Sequence, residues 1–349
     1  MSVVHLQEQV RSAAERGAPL RLRGGGSKDF YGNTLLGELV DTREYRGITD
    51  YEPSELVVTA RCGTPLAEVE QALAAQGQCL AFEPPHFGVA TFGGCIACGL
   101  SGPRRASAGA LRDFVLGVKV IDGKGRLLEF GGQVMKNVAG YDLSRLLAGS
   151  LGTLGVIAEA SVKVLPRPAS EITLQLEAPE ARALELMNRW AGQPLPVSAT
   201  AWHDGLLWVR LSGASVAVRA AAAALGGTPV DDTPGFWRVI REHGHAFFSS
   251  DAPLWRLALP SSTPPVQLPG RQLIEWGGGL RWFASGVDAA QVREVAQRAS
   301  GHATLFRAAD KSPGAFAPLQ PAQLRLHRAL KSAFDPAGIF NRGRMYAEL

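Results

Sequence analysis

Glycine-rich segments recur three times in the first 160 residues of this chain, separated by short apolar runs. The first contains the triplet Gly24-Gly25-Gly26, the second contains Gly93-Gly94, and the third contains Gly149, Gly152 and Gly155. Clusters of glycine mark backbone that must turn sharply or approach a ligand closely. The sequence therefore predicts a domain in which several loops meet around a bound molecule.

The first segment, residues 20–28, reads as a strand that runs into three glycines, then the hydroxyl of Ser27 and the cation of Lys28. Without β-carbons, such a turn can aim successive amide hydrogens at one phosphate oxygen, and a diphosphate would fit. The alternative is an ordinary turn between strands. A Rossmann fingerprint or a P-loop is less apt, because neither the G-x-G-x-x-G spacing nor a G-K-[ST] motif is present.

The second segment runs from residue 84 to Gly94 and continues to residues 101–105, with Thr91 and Ser101 as hydroxyl donors. The third begins at residues 136–143 and continues into residues 150–157. Each segment alone is compatible with ordinary loop chemistry. Their order and spacing together indicate one extended ligand held by several loops.

Apolar strand patterns and a helical period over residues 65–76 alternate between these segments, which predicts an α+β fold. Residues 122–125, Asp-Gly-Lys-Gly, join two apolar runs and predict an antiparallel hairpin. Residues 164–168 contain two prolines and mark a domain boundary. Later strand and helix signals predict an antiparallel sheet backed by helices. We expect a ligand-holding domain over residues 1–168, a cap over 169–305 and a C-terminal segment, 306–349, that returns to the first domain.

Charge and hydropathy exclude several classes of protein. The net charge of +4 is spread along the chain, and Arg104-Arg105 is only a pair, so nucleic acid is not an expected partner. The N-terminus reads as an amphipathic helix rather than a signal peptide, and no apolar stretch has the length of a transmembrane segment. Four cysteines without an export signal indicate reduced thiols. The expected location is cytoplasmic, with any attachment to the inner membrane peripheral and made through a complex.

Taken together, residues 20–165 resemble the vanillyl-alcohol-oxidase/PCMH-type family of FAD-binding domains. Members of that family have an R-G-G-G-[ST] loop around the diphosphate, a T-x-G-G loop beside the flavin and a G-T-L-G-[VI]-[IV] segment along the ribityl chain and ring. Residues 23–27, 91–94 and 152–157 match these motifs. Many relatives have S-E-G-T-L-G where this chain has Ser150-Leu151-Gly152. The resemblance implies a PCMH-type domain of two α+β subdomains, with a cap domain.

The cofactor implied by this resemblance is FAD. Members with a covalent flavin often carry His in the first glycine loop, where Gly26-Ser27 stands here, so we expect FAD to be bound non-covalently. The residues expected to contact it are Arg23, Gly24, Gly25, Gly26, Ser27, Lys28, Thr91, Gly93, Gly94, Ser101, Gly102, Gly152, Thr153, Gly155, Val156 and Ile157.

Within that family, residues 101–117, 130–155 and 334–346 are similar to the E subunits of bacterial glycolate oxidases. This similarity implies oxidation of glycolate to glyoxylate, with electrons passed through FAD to partners: a second FAD-binding subunit and an iron–sulfur subunit. Two alternatives stay open. The chain could be a non-catalytic electron-relay or assembly subunit, or a stand-alone FAD-dependent oxidoreductase for another 2-hydroxy acid.

Oxidation of a 2-hydroxy acid needs a cation for the carboxylate and a base for the hydroxyl proton. Arg256 and Arg281 lie in apolar strand patterns and are candidates for the cation, although alternation alone favours outward-facing strand residues. His245 is a candidate base, with a hydrogen-bonded structural histidine as the alternative. The pair Cys95 and Cys98 has the C-x-x-C spacing, but its place in the glycine-rich arm favours small packing residues. We therefore expect no metal.

Overall fold

The computed structural model describes residues 1–132 and 142–349. They divide into two units: unit 1 comprises Met1–Leu100, Ala110–Pro166 and Pro318–Leu349, and unit 2 comprises Ser101–Gly109 and Arg167–Ala317. The expected domains differ from these units at residues 101–109, 167–168 and 306–317, all of which group with unit 2. Local bonds account for the last difference, since the Leu305 amide donates to the Ala315 carbonyl at 2.8 Å.

The predicted helices at the N-terminus and over residues 65–76 are confirmed. The helices of the described residues follow in chain order. They are α1 (Val3–Arg16), α2 (Leu66–Ala75), α3 (Phe92–Cys98), α4 (Arg105–Ala108), α5 (Leu111–Phe114), α6 (Leu143–Leu146), α7 (Glu180–Ala191), α8 (Ser215–Leu225), α9 (Thr233–Arg241), α10 (Ala289–Arg298) and α11 (Pro321–Phe334). Among the described residues, no helix is both long and apolar enough to cross a membrane.

The strands of unit 1 are β1 (Leu20–Arg23), β2 (Glu38–Asp41), β3 (Ile48–Glu52), β4 (Val57–Arg61), β5 (Gln78–Cys79), β6 (Val115–Ile121), β7 (Leu127–Gly131), β8 (Val156–Lys163) and β9 (Leu165–Pro166). In the described part of the chain, five of them form an antiparallel sheet in the order β3-β4-β8-β6-β7. The pairing of β6 with β7 confirms the hairpin predicted at residues 122–125. β1 and β2 form a separate parallel pair.

Helix α1 packs on the core of unit 1 through one apolar stripe. Leu6, Val10 and Ala13 are each fully buried and recur at the three- and four-residue spacing of a helix face. They contact a cluster that includes Ile121 from β6 and Phe340 from near the C-terminus. Burying a side chain such as Leu or Val stabilises a fold by about 1.5–3 kcal/mol. The stripe therefore fixes α1 against β6 and Phe340.

The strands of unit 2 are β10 (Ser170–Glu177), β11 (Val197–His203), β12 (Leu206–Gly213), β13 (Thr228–Pro229), β14 (Leu254–Ala258), β15 (Arg271–Glu275), β16 (Leu280–Ala284) and β17 (His302–Arg307). Within the described residues they form one antiparallel sheet in the order β13-β10-β12-β11-β15-β16-β14-β17. Helix α7 packs on this sheet through Leu184, Met187 and Trp190. The predicted antiparallel sheet backed by helices is confirmed, and with it the α+β class.

Candidate functional site

A cleft in unit 1 brings the three glycine segments together. We name them the first loop (residues 23–28), the second loop (residues 84–94) and the third loop (residues 150–157). The cleft encloses about 780 Å³ of space free of protein atoms, its open mouth included. The predicted cofactor residues that line it are Arg23, Gly24, Gly25, Gly26, Ser27, Lys28, Thr91, Gly93, Gly94, Gly152, Gly155, Val156 and Ile157.

The first and second loops touch through backbone that has no room for side chains. A β-carbon on Gly25 would lie 1.6 Å from the Val89 carbonyl oxygen, and one on Gly24 would lie 2.1 Å from Oγ1 of Thr91. Real β-carbons essentially never come within 3.0 Å of such atoms. These glycines are therefore required for the two loops to meet.

Backbone hydrogen bonds attach the second loop to the end of β4. The Phe92 amide donates to the Thr64 carbonyl and the Gly93 amide to the Cys62 carbonyl, both at 2.8 Å. Thr91 caps α3, since its Oγ1 accepts from the Gly94 amide at 3.4 Å. Thr91 is thus held at the start of α3, where it lines the cleft.

The third loop is attached to α3 in turn. The Gly149 amide donates to the Ile96 carbonyl at 3.0 Å, and the Leu151 amide donates to the Ala97 carbonyl at 2.8 Å. Gly152 has a positive φ of 70°, a conformation that favours glycine. The second and third loops therefore meet on α3, and Ala97 and Cys98 of that helix also line the cleft.

Charged side chains give the cleft an excess of two positive charges. Arg23, Lys28 and Arg344 line it and, among the described lining residues, the carboxylate is Asp29, whose Oδ2 lies 2.7 Å from Arg23 Nε. Lys28 is 7% exposed, and its Nζ donates to the His86 carbonyl at 3.1 Å. Burial lowers the pKa of Arg344, but a guanidinium stays charged at neutral pH.

Buried cations are costly unless an anion offsets them. The diphosphate of a dinucleotide is a dianion, which would balance the excess charge of the cleft. The glycine backbone of the first loop offers amide hydrogens without side chains to block them. Charge and shape in this cleft therefore fit the diphosphate of FAD.

Three predicted cofactor residues lie elsewhere. Thr153 is 8% exposed and is not among the residues that line the cleft, because its hydroxyl donates to the Ser150 carbonyl at 2.8 Å. Ser101 and Gly102 belong to unit 2, where Nε1 of Trp276 donates to the Gly102 carbonyl at 3.0 Å. The predicted segment over residues 136–141 lies outside the described residues.

Sequence reasoning missed several residues of the cleft, chief among them Asn341 and Arg344. Both belong to residues 334–346, one of the stretches on which the family resemblance depends. The family resemblance thus drew attention to that stretch, but a local sequence pattern could not show that Asn341 and Arg344 meet loops more than 180 residues earlier in the chain. Cys62, Leu22 and Thr42 also line the cleft without having been predicted.

Arg281 and Arg256, the candidate carboxylate-binding residues, lie in unit 2 and differ in their surroundings. Arg281 is fully buried; its guanidinium donates to the carbonyls of Gly278 (3.3 Å), Pro264 (2.9 Å) and Thr263. These bonds tie its strand to the turn directly before it and to the loop between β14 and β15. Arg256 is partly exposed and its guanidinium lies 5.2 Å from the Trp276 ring centroid.

His245, the candidate base, begins a short 3-10 helix, Ala246–Ser249, in unit 2. Its Nδ1 accepts from the Phe247 amide at 3.2 Å, and its ring lies 5.5 Å from that of His203. Burial, followed by the charge of His203, lowers the pKa of His245. The ring is therefore neutral at pH 7 and has one nitrogen engaged in capping. The catalytic roles of these three residues stay predictions.

Three cysteines of unit 1, Cys62, Cys95 and Cys98, are protonated thiols. Burial raises the pKa of Cys62 and of Cys95 to about 12 and raises that of Cys98 as well. Thiolates bind metals, and protonated thiols do so poorly. In residues 1–132 and 142–349, no three His, Cys, Asp or Glu side chains assemble as a metal-binding group.

Comparison with known proteins places the chain in a family. A family model described as FAD binding domain matches residues 2–131, and one described as FAD linked oxidases, C-terminal domain, matches residues 310–345. The chain is 50% identical to glycolate oxidase subunit GlcE of Escherichia coli (strain K12), over 99% of this chain and 97% of that protein.

More distant relatives share only part of the chain. Glycolate oxidase subunit GlcD of Bacillus subtilis (strain 168) is 32% identical over 46% of this chain and 35% of its own length. A D-lactate dehydrogenase of Archaeoglobus fulgidus is 34% identical over 54% of this chain and 43% of its own length.

Solved structures of alkyldihydroxyacetonephosphate synthase share the fold. One has a TM-score of 0.65 at 15% identity and covers 96% of this chain and 73% of its own. Together with the family match over residues 2–131, this likeness shows a PCMH-type FAD-binding fold. On its identity to the Escherichia coli protein over nearly the full length of both, the chain belongs to the FAD-binding family of glycolate oxidase GlcE subunits.

Proposed function

We propose that this chain is the FAD-binding subunit of a glycolate oxidase complex, in which glycolate is oxidised to glyoxylate and electrons pass through FAD to partner subunits. The single observation that carries the proposal is the cleft of unit 1: three glycine loops around an excess of two positive charges, in a chain 50% identical to a GlcE subunit. FAD, when bound, supplies a two-electron acceptor.

The residues of the chain have separable roles toward that cofactor. Backbone amides of the first loop, with Arg23 and Lys28, would hold the diphosphate. Leu22, Ala97 and Ile157 supply apolar walls that exclude water. The first loop contains no histidine, which supports FAD bound without a covalent link.

We further propose that the partners are a GlcD-like flavoprotein subunit and an iron–sulfur subunit. The first is supported by the name of the close relative, a subunit of glycolate oxidase, and by the weaker similarity to GlcD. The second follows from the family resemblance and from electron transfer itself, since electrons need an acceptor after FAD. Residues 169–305 are proposed as the cap domain.

Purified protein tests the cofactor proposal directly. It should carry a flavin absorbance spectrum, and acid precipitation should release all of the FAD into the supernatant. Flavin that stays with the precipitate would show a covalent link, and protein that does not bind added FAD would contradict the proposal.

A second function, electron relay without substrate oxidation, is favoured by one observation. Arg281 is fully buried and bonded to backbone carbonyls, so it offers no ready contact to a substrate carboxylate. Adding glycolate anaerobically to the FAD-loaded chain distinguishes the two functions. If glycolate bleaches the flavin of the wild-type chain but not that of Arg256→Met, oxidation takes place in this chain. A flavin that bleaches only after the GlcD-like subunit is added indicates a relay.

A further inference from the structure

Residues 339–345, which we name the tail segment, run alongside the strand that leads into the first loop. The Leu20 amide donates to the Ile339 carbonyl at 2.7 Å, and the Asn341 amide donates back to the Leu20 carbonyl at 3.0 Å. Leu20 and Phe340 form a parallel bridge. The tail segment thus extends the sheet edge of β1 and brings its own side chains to the cleft.

The side-chain amide of Asn341 joins two of the three loops. Its Oδ1 accepts from the Leu22 amide at 2.8 Å, and its Nδ2 donates to the Leu151 carbonyl at 2.7 Å. Leu22 lies directly before the first loop, and Leu151 directly before Gly152 in the third. Asn341 is 3% exposed and lines the cleft. One buried amide therefore sets the spacing between these loops.

Asn341 also has a backbone conformation that few residues tolerate. Its φ is +40°, in the left-handed region where asparagine and aspartate are enriched. A β-carbon on Gly152 would lie 2.7 Å from Asn341 Nδ2, so the third loop passes against the amide with nothing between them. The contact therefore depends on asparagine at position 341, which tolerates the positive φ, and on glycine at position 152, which leaves room for the amide.

Two cations support the same connection. Arg344 Nη2 donates to the carbonyls of Lys28 and Asp29, each at 3.1 Å, at the end of the first loop. Lys331 Nζ donates to the carbonyls of Thr153 and Phe340, each at 2.8 Å, which ties the third loop to the tail segment. The tail segment therefore contacts the first loop and its flanks through Asn341 and Arg344, and the third loop through Asn341 directly and through Lys331 of α11, which also binds Phe340.

We propose that Asn341 is a positioning residue for the cofactor: its amide holds the first and third loops at the separation that FAD binding requires. The inference rests on the proposed function only in that FAD is the ligand. Without the amide, the Leu22 amide hydrogen or the Leu151 carbonyl is left buried without a partner, and the loops relax to satisfy it.

Asn341→Asp isolates one of the two bonds. Aspartate matches asparagine in size and in tolerance of positive φ, and it can still accept from Leu22, but a carboxylate oxygen would face the Leu151 carbonyl. We expect the Kd for FAD, measured by flavin fluorescence on titration of the apoprotein, to rise roughly tenfold or more. Asn341→Gly, which keeps the backbone conformation and loses both bonds, should weaken binding at least as much.

Arg342→Ala is the matched control. Arg342 is exposed and donates to carbonyls of Gly338 and Ala337, not to either loop. The Kd of Arg342→Ala for FAD should equal that of the wild type. If Asn341→Asp and Asn341→Gly bind FAD as tightly as Arg342→Ala does, the positioning role is wrong, whereas a wild-type chain that does not bind FAD contradicts the proposed function itself.

A measurement on the wild type covers the case in which both Asn341 variants do not fold. Coupling between sites is reciprocal, so FAD should slow hydrogen exchange at the amides of Asn341 and Arg344 in the tail segment. Equal exchange of these amides with and without FAD would overturn the proposal.

Discussion

Gly25→Ala should separate the first and second loops and weaken FAD binding. The added β-carbon would lie 1.6 Å from the Val89 carbonyl oxygen and 2.8 Å from its carbon. Ordinary contacts of a β-carbon begin near 3.4 Å, so one backbone must move by about 1.8 Å. Both atoms belong to the main chain, and no rotamer change can relieve the overlap.

The size of the expected losses in stability and in FAD affinity follows from the free energy needed to shift the backbone. Forcing an extra methyl group into packed structure destabilises a protein by about 1–3 kcal/mol. Loss of one charge-assisted hydrogen bond from a displaced first-loop amide to the diphosphate costs about 1.5–3 kcal/mol. That loss corresponds to a rise in Kd of roughly ten- to a hundredfold. We therefore expect a moderate fall in apoprotein stability together with a large fall in FAD affinity.

Two measurements on the same preparation check this expectation. Urea unfolding of the apoprotein gives the change in free energy, and fluorescence titration gives the Kd for FAD. Gly286→Ala is the control, because a β-carbon there meets nothing within 4 Å. Gly25→Ala protein that unfolds within about 0.5 kcal/mol of the control and binds FAD equally well would refute the close approach of the two loops.

Three other changes have defined outcomes. Lys28→Met removes a buried cation of the cleft, so FAD affinity should fall roughly tenfold, and titration at two salt concentrations should show a weaker salt dependence than in the wild type. Burial lowers the pKa of His243 well below 6.5; the unfolded chain then binds a proton that the folded chain does not, and the free energy of unfolding should fall from pH 7 to pH 5. Urea unfolding measures this dependence. A free energy of unfolding that does not change between pH 7 and pH 5 in the wild type, or that falls as steeply in His243→Gln, would contradict the expectation. Arg281→Met should lower stability by about 1–3 kcal/mol for each carbonyl left unsatisfied and leave the Kd for FAD unchanged; a change in glycolate reactivity without a change in stability would argue for the catalytic role instead.

The sequence was most informative where a structural requirement is local. The glycines of the first loop predicted a sharp turn or a close approach to a ligand, and the structure shows a close approach to the second loop, at Gly25 to the backbone of Val89 and at Gly24 to the side chain of Thr91. The hairpin at residues 122–125 and the helical period ending near residue 76 are confirmed for the same reason. Turn chemistry and helix periodicity are set by neighbours along the chain.

Prediction was weaker where the outcome depends on distant packing. Strand alternation favoured an outward-facing Arg281, yet all five residues of β16 are buried, and the guanidinium of Arg281 is covered by the chain at Thr263 and Pro264, to whose carbonyls it donates. Likewise, no local pattern could show that Asn341 bonds to Leu22, 319 residues earlier. Contacts of that span are a property of the whole fold.

The pairing of Leu20 with the tail segment joins two parts of the chain that are synthesised far apart in time. At about 5–20 residues per second, a ribosome needs roughly a quarter of a minute to a minute to extend the chain from Leu22 to Asn341. During that interval one side of β1 has unpaired backbone groups, the kind of edge on which nascent chains aggregate or chaperones bind. We therefore expect flavin uptake to be a late event in biogenesis, and a message truncated before codon 339 to yield apoprotein that cofactor supplementation does not rescue.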